Sequence, residues 1–313
     1  MEMNALLAPN NHLIALARQG KRLPHLVLLL IVSIIATFVM QILGIIPALL
    51  VLQLLGAGDN SALASAARGA ILLIGSTSLI FAFIWAWLRW FDQRPYWTLG
   101  LEPRGALGKY ARGLLVGLLM FAAAVGLAAA FGYVAYEQGD PQQQGLAALG
   151  GVLLITLGWI VQGASEEVLC RGWLLPSIGG RYRPWLGVFI SALVFALLHS
   201  LNPGLSVLAM VNLFLFGIFA ALYALYEGGL WGIFALHSVW NWAQGNLFGF
   251  EVSGTTPEGG SLLNLQETGP DLITGGRFGP EGGLVVSAVL LGGILVLVAL
   301  ARRMSRSPVP AES

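Results

Sequence analysis

LVLLLIVSIIATFVMQILGIIPALLVLQLL, residues 26–55, places thirty consecutive residues in the chain without one charged side chain. A helix rises ~1.5 Å per residue and a bilayer's hydrocarbon core is ~30 Å thick, so about 20 apolar residues span it. This run is longer than that. It follows Arg18, Lys21 and Arg22 and is about twice the length of a signal-peptide apolar region, so it reads as an uncleaved first transmembrane helix. Pro47 is expected to kink or end it.

Working outward, seven further segments meet the same test: Gly69 to Trp90, Leu114 to Tyr136, Leu146 to Ile178, Pro184 to Ser200, Leu205 to Tyr226, Leu230 to Phe248 and Leu284 to Ala301. The fifth is short, and Asn202, Pro203 and Gly204 make a tight turn after it. Hydrophobic residues make up 57% of the 313, charged residues 10%, and the mean hydropathy is +0.79. That composition lies outside soluble globular proteins. The fold class expected is all-α, a polytopic transmembrane bundle of eight spans. A net charge of +1 with no basic run excludes a nucleic-acid surface. Cys170 is the sole cysteine, which forbids an intrachain disulfide and suits packing better than nucleophilic attack.

Basic residues orient the bundle, because cytoplasmic loops collect Lys and Arg. With the N-terminus inside, the inner side holds Arg18, Lys21, Arg22, Arg89, Arg94, Arg104, Lys109, Arg112, Arg171, Arg181, Arg183, Arg302, Arg303 and Arg306. Arg68 and Arg277 fall outside, where Asp59, Glu137, Asp140, Glu251, Glu258, Glu267, Asp271 and Glu281 also collect. Both termini are therefore expected in the cytoplasm. Trp85, Trp87, Trp90, Trp97, Trp173, Trp185 and Trp231 read as an interfacial belt. The Gly-rich stretch from Gly249 to Gly283 reads as a flexible connection, with a lid as the alternative.

Inside the spans, charge is conspicuous. A carboxylate at bilayer depth costs at least ~2.5 kcal/mol, which makes intramembrane ionisable residues candidates for function. Glu167 and Arg171 are four apart and share a helix face. Glu166 is rotated by about 100° and is free to point elsewhere. Phe195 and His199 repeat the spacing on the fifth span, and His237 and Asn241 on the seventh. Counted from the inner helix ends at ~1.5 Å per residue, Glu166 lies at about 18 Å, His199 at about 22 Å, His237 at about 12 Å and Asn241 at about 18 Å. Each alone would pass for an ordinary interhelical hydrogen-bonder. Their common depth beside an Arg-paired carboxylate makes a site the better reading. His25 and Glu227, at span ends, are assigned no role.

At these residues the chain resembles the CPBP family, the CAAX proteases and bacteriocin-processing enzymes also called Abi proteins. The family's motifs are Glu-Glu-x-x-x-Arg, Phe-x-x-x-His and His-x-x-x-Asn, and here they stand in order as SEEVLCRGWLLP, FALLH and HSVWN. A looser likeness begins at WTLGLEPR, from Trp97. Cys170 departs from the aromatic that many members carry there. The resemblance implies an eight-helix bundle in which Glu166 and His199 activate water for peptide hydrolysis while His237 and Asn241 stabilise the oxyanion. The substrate it implies is a membrane-embedded or lipidated peptide.

The expected organisation is a cytoplasmic segment at 1–25, one transmembrane domain at 26–301 with its catalytic core at 146–248, and a cytoplasmic tail at 302–313. The protein is expected to be multi-pass in the cytoplasmic membrane of a prokaryote. Buried carboxylates suit general-base work near neutral pH, and Glu167, Arg171 and Phe195 would support the reacting groups. No cofactor is expected. The runner-up is zinc held by Glu166, His199 and His237, against which stands the lack of a His-Glu-x-x-His motif. Two other classes are a proton-coupled transporter, disfavoured by the lack of duplicated halves, and an inactive membrane-bound regulator, disfavoured because every motif position is filled.

Overall fold

The structure, a computed structural model, describes residues 6–56 and 60–304. Asp59, Arg306 and the tail beyond residue 304 lie outside the described residues. In chain order the helices are α1 (His12–Ala17), α2 (Leu26–Leu55), α3 (Ala62–Trp87), α4 (Ala106–Ala130), α5 (Leu149–Glu167), α6 (Leu175–Arg181), α7 (Pro184–Leu198), α8 (Val207–Glu227), α9 (Trp231–Trp242), α10 (Asp271–Thr274) and α11 (Leu284–Met304). Two short strands, β1 (Val134–Tyr136) and β2 (Leu265–Glu267), pair antiparallel with Val134 opposite Glu267.

Each segment expected to be a span is helical over most of its length, though Leu114 to Tyr136 leaves its helix at Ala130 and ends in β1. Six are long and apolar enough to cross a bilayer: Leu26–Leu55, Ala62–Asp92, Ala106–Ala130, Gly145–Arg181, Val207–Glu227 and Leu284–Arg303. The other two are shorter, α7 with 15 residues and α9 with 12 before the π-helical Ala243–Phe248. Helix is the form hydrocarbon demands, since it satisfies every backbone group within its own segment. Hydroxyls begin two of them. Ser61 Oγ accepts from Ala64 N at 3.3 Å and Ser206 Oγ from Ala209 N at 3.0 Å. Pro47 does not end α2, which continues two turns beyond it to Leu55. Ile31, Ile35, Ile42 and Ile46 form an exposed apolar stripe along α2, as a lipid-facing surface requires.

Small residues set how closely the helices approach, as membrane packing favours. At the crossing of α2 and α3, a Cβ on Gly44 would overlap the Gly75 carbonyl. At the crossing of α4 and α9, a Cβ on Gly113 would overlap Gly232 and one on Gly117 would sit 2.6 Å from the Leu236 oxygen. That crossing seats the helix carrying His237 and Asn241. Helix α5 packs between α3 and α9, α7 packs on α6 and α8, and α8 packs on α11.

Residues 12–17, within the N-terminal segment, form α1, which buries Leu13 and Ile14 against the bundle near α6. Two expectations need correction. Trp85, Trp90, Trp97 and Trp185 are exposed like an interfacial belt, but Trp173 is fully buried, 5.4 Å from Trp87, and belongs to the core. The 249–283 stretch is not slack. Asn246 Nδ2 donates to Glu258 O and Gly260 O at 2.9 and 2.8 Å, Asn202 Nδ2 to Ser253 O at 2.9 Å, and β2 ties the stretch to β1. Val252, Ser253 and Thr255 then reach the wall of the central cavity, which is the placement of a lid.

Candidate active site

The Glu-Glu motif stands where α5 changes its winding. Val168–Leu174 form a π-helical stretch between α5 and α6, a device that often marks functional positions. Pro176 follows at the start of α6 and has no N–H to continue the earlier ladder. Glu167 and Arg171, both with fully buried side chains, pair across this junction at 2.9 Å between Oε1 and Nη1. The pairing expected from their four-residue spacing is thus present, and the Arg171 guanidinium is an interior group. Its Nη2 donates to Gly217 O at 3.2 Å, and its carbon lies 4.6 Å over the Phe195 ring. Phe195 thus sits between the Arg171 cation and the imidazole of His199, whose ring centroid is 4.8 Å away.

His237 joins the two glutamates. Its Nδ1–H donates to Glu167 Oε1 at 2.8 Å, the oxygen that also accepts from Arg171. Its Nε2 is 3.8 Å from Glu166 Oε2. Phe216 meets the ring edge-on at 5.0 Å and Phe195 at 5.9 Å, which fixes its plane. Glu166, with an 18% exposed side chain, is held at its other oxygen. Gln162 Nε2 donates to Glu166 Oε1 at 2.6 Å, and Gln162 Oε1 accepts from Asn241 Nδ2 at 2.9 Å. Glu166 Oε2 is buried and has no hydrogen-bond partner among the described residues.

His199 closes α7. Its Nδ1 lies 2.8 Å from Phe195 O, a carbonyl one turn back in the last turn of the helix, and its backbone N–H bonds Ala196 O. With Nδ1–H donating, Nε2 is left as the acceptor, so the tautomer suits a base. Glu166, His199, His237 and Asn241 all line one cavity of about 200 Å³, together with Gln162 and Cys170. Arg171 and Glu167 do not line it. The four residues that depth arithmetic drew together thus share one space. Among the described residues no three His, Cys, Asp or Glu side chains are grouped as a metal site.

Two contributors escaped the sequence. Gln162 precedes Glu166 by one turn in an otherwise apolar helix, and that spacing was the available signal. Glu281, expected only among outer-side acids, lines the cavity. It accepts from Trp240 Nε1 at 3.2 Å, from Ser253 N at 3.0 Å and from Ser253 Oγ at 2.8 Å. It therefore clamps the lid to α9.

A mostly helical bundle with apolar spans places Glu166, His199, His237 and Asn241 around one internal cavity, a set of groups suited to hydrolysis. Residues 148–243 match the family model described as Rce1-like, type II CAAX prenyl endopeptidase Rce1-like. The match includes all three motifs and leaves α2, α3, α4 and α11 outside it. No curated protein and no solved structure matches the chain.

Proposed function

We propose that the protein is an intramembrane endopeptidase that hydrolyses a peptide bond of a membrane-associated or lipidated substrate with water activated by Glu166 and His199. The observation that carries this reading is the convergence of Glu166, His199, His237 and Asn241 on one cavity. Glu166 has one oxygen fixed by Gln162 and the other without a partner, which suits it to take a proton from attacking water. A general base placed this way contributes ~10²–10⁴-fold. The C–N bond then breaks, and the leaving amine receives a proton from Glu166 or His199. Asn241 keeps a second amide N–H beyond the one given to Gln162, and His237 presents Nε2, which donates when the ring is an imidazolium. These are the groups to steady an oxyanion.

The reading uses no metal, and Glu166 and His199 are proposed to act directly on water. It also carries the finer topology: eight crossings of the membrane, both termini in the cytoplasm, and the lid on the opposite face. The matched family's description, a CAAX prenyl endopeptidase, supports a prenylated peptide as the substrate class. The test is a proteoliposome assay that follows cleavage of a farnesylated peptide ending in Cys-aliphatic-aliphatic-X alongside proton flux. Cleavage without flux supports the protease. Substrate-driven proton flux without cleavage refutes it in favour of the transporter.

A further inference from the structure

A second pocket, of about 520 Å³, lies at the far end of α3 and shares no lining residue with the catalytic cavity. Its walls come from two places in the chain. The π turn Leu88–Asp92 closes α3, and Gln93 then adopts a left-handed backbone with φ 55°. A non-glycine residue rarely takes that conformation, and its presence marks a constrained turn. The reversal brings Arg89 and Arg94 to the same pocket as Trp90. Lys21 arrives from the segment after α1, where Arg22 N donates to Asp92 O at 3.4 Å and the Arg22 guanidinium lies 5.7 Å over Phe91.

Three cations thus share one pocket. The acid beside them, Asp92, has a fully buried side chain committed to Trp87 Nε1 at 2.9 Å and to Arg94 Nε at 3.4 Å. Lys21 and Arg89 have no ion-pair partner among the described residues. Arg94, whose side chain is buried, bonds Thr98 through Nη1 but leaves Nη2 without a partner. Holding like charges together is unfavourable unless an anion offsets them. The location says which anion. Trp90 is 65% exposed and meets the exposed Trp85 edge-on at 5.5 Å, the placement of aromatics at headgroup level. Basic pockets at that level recognise anionic headgroups.

We propose that the pocket of Lys21, Arg89, Trp90 and Arg94 binds the phosphate of an anionic phospholipid headgroup. The experiment is thermal unfolding of the detergent-purified full chain, titrated separately with phosphatidylglycerol, phosphatidylcholine and inorganic phosphate. Phosphatidylglycerol should raise Tm saturably, with little effect from either of the others at the same concentration. A Lys21→Gln, Arg89→Gln double variant changes exposed side chains and should fold, and it should need at least tenfold more phosphatidylglycerol for half the shift. Arg104→Gln with Arg183→Gln removes the same charge elsewhere and should leave that midpoint unchanged. Equal protection by phosphatidylcholine would overturn the proposal, as would a native-like midpoint in the pocket variant or an equal loss in the control. Protection by inorganic phosphate as strong as by phosphatidylglycerol would overturn the lipid as occupant.

Discussion

His237 and Arg171 donate to the same oxygen of Glu167, at 2.8 and 2.9 Å. One buried carboxylate therefore balances the guanidinium and orients the imidazole whose other nitrogen faces Glu166. This relationship assigns the two adjacent glutamates different duties.

Glu167→Gln should unfold or nearly unfold the protein. It leaves the buried Arg171 without its counter-charge, and breaking such a pair costs ~3–5 kcal/mol. Replacing both partners, Glu167→Met with Arg171→Met, should recover much of the loss, because the uncompensated charge is gone. Melting curves of the three proteins in detergent decide this. A Glu167→Gln protein as stable as the native chain would show that the pair carries little.

Gln162→Met keeps the side-chain volume but removes the donor to Glu166 and the acceptor for Asn241. The turnover number for peptide cleavage should fall at least tenfold with KM little changed, since Gln162 positions the base and its loss does not block the cavity. A variant whose KM rises while kcat holds would place Gln162 in substrate binding.

Two glycines on α4 make a matched pair. Gly113→Ala drives a Cβ into the Gly232 backbone, whereas Gly108→Ala meets nothing within 4 Å. The first should lower Tm by many degrees. The second should be neutral or stabilising by roughly 0.5–1 kcal/mol, the helix preference of Ala over Gly. Equal effects would mean that the α4–α9 crossing is not set by backbone contact.

Glu267, at the end of β2 within the 249–283 stretch, has its carboxyl pushed up to about 8 by burial and by the nearby Glu251, from an ordinary value of 4.5. Between those values the folded chain keeps a proton that the unfolded chain has released, so stability falls as pH rises. The contribution is complete below about 4.5 and lost as pH passes about 8. Melting temperatures from pH 5 to 9 should fall more steeply for the native protein than for Glu267→Gln. Superimposable curves would count against a buried neutral Glu267.

Much of this architecture was legible because a bilayer sets helix length and penalises charge. The eight helical segments follow from apolar runs, and Glu166, His199, His237 and Asn241 follow from polar residues at one depth. What escaped the sequence depends on contacts between distant residues. Gln162 is unremarkable until Asn241, 79 positions away, donates to it. The order of the 249–283 lid rests on Asn202, Asn246 and Trp240, none of which announces a partner in the sequence. Trp173 resembles its interfacial neighbours by position and differs only in facing the core. Helix α1 is too short for its periodicity to declare it.

The account rests on Glu166 as the base that activates water, and one comparison tests it most directly. Native and Glu166→Gln proteins, both treated with a chelator, are reconstituted and assayed for cleavage of the farnesylated peptide, with melting temperatures recorded for each. The account predicts that the chelated native protein cleaves, and that Glu166→Gln stays folded while losing at least ~100-fold in rate, the share of a general base. A folded Glu166→Gln protein that cleaves at the native rate, or a native protein silenced by chelation and restored by zinc, would contradict it.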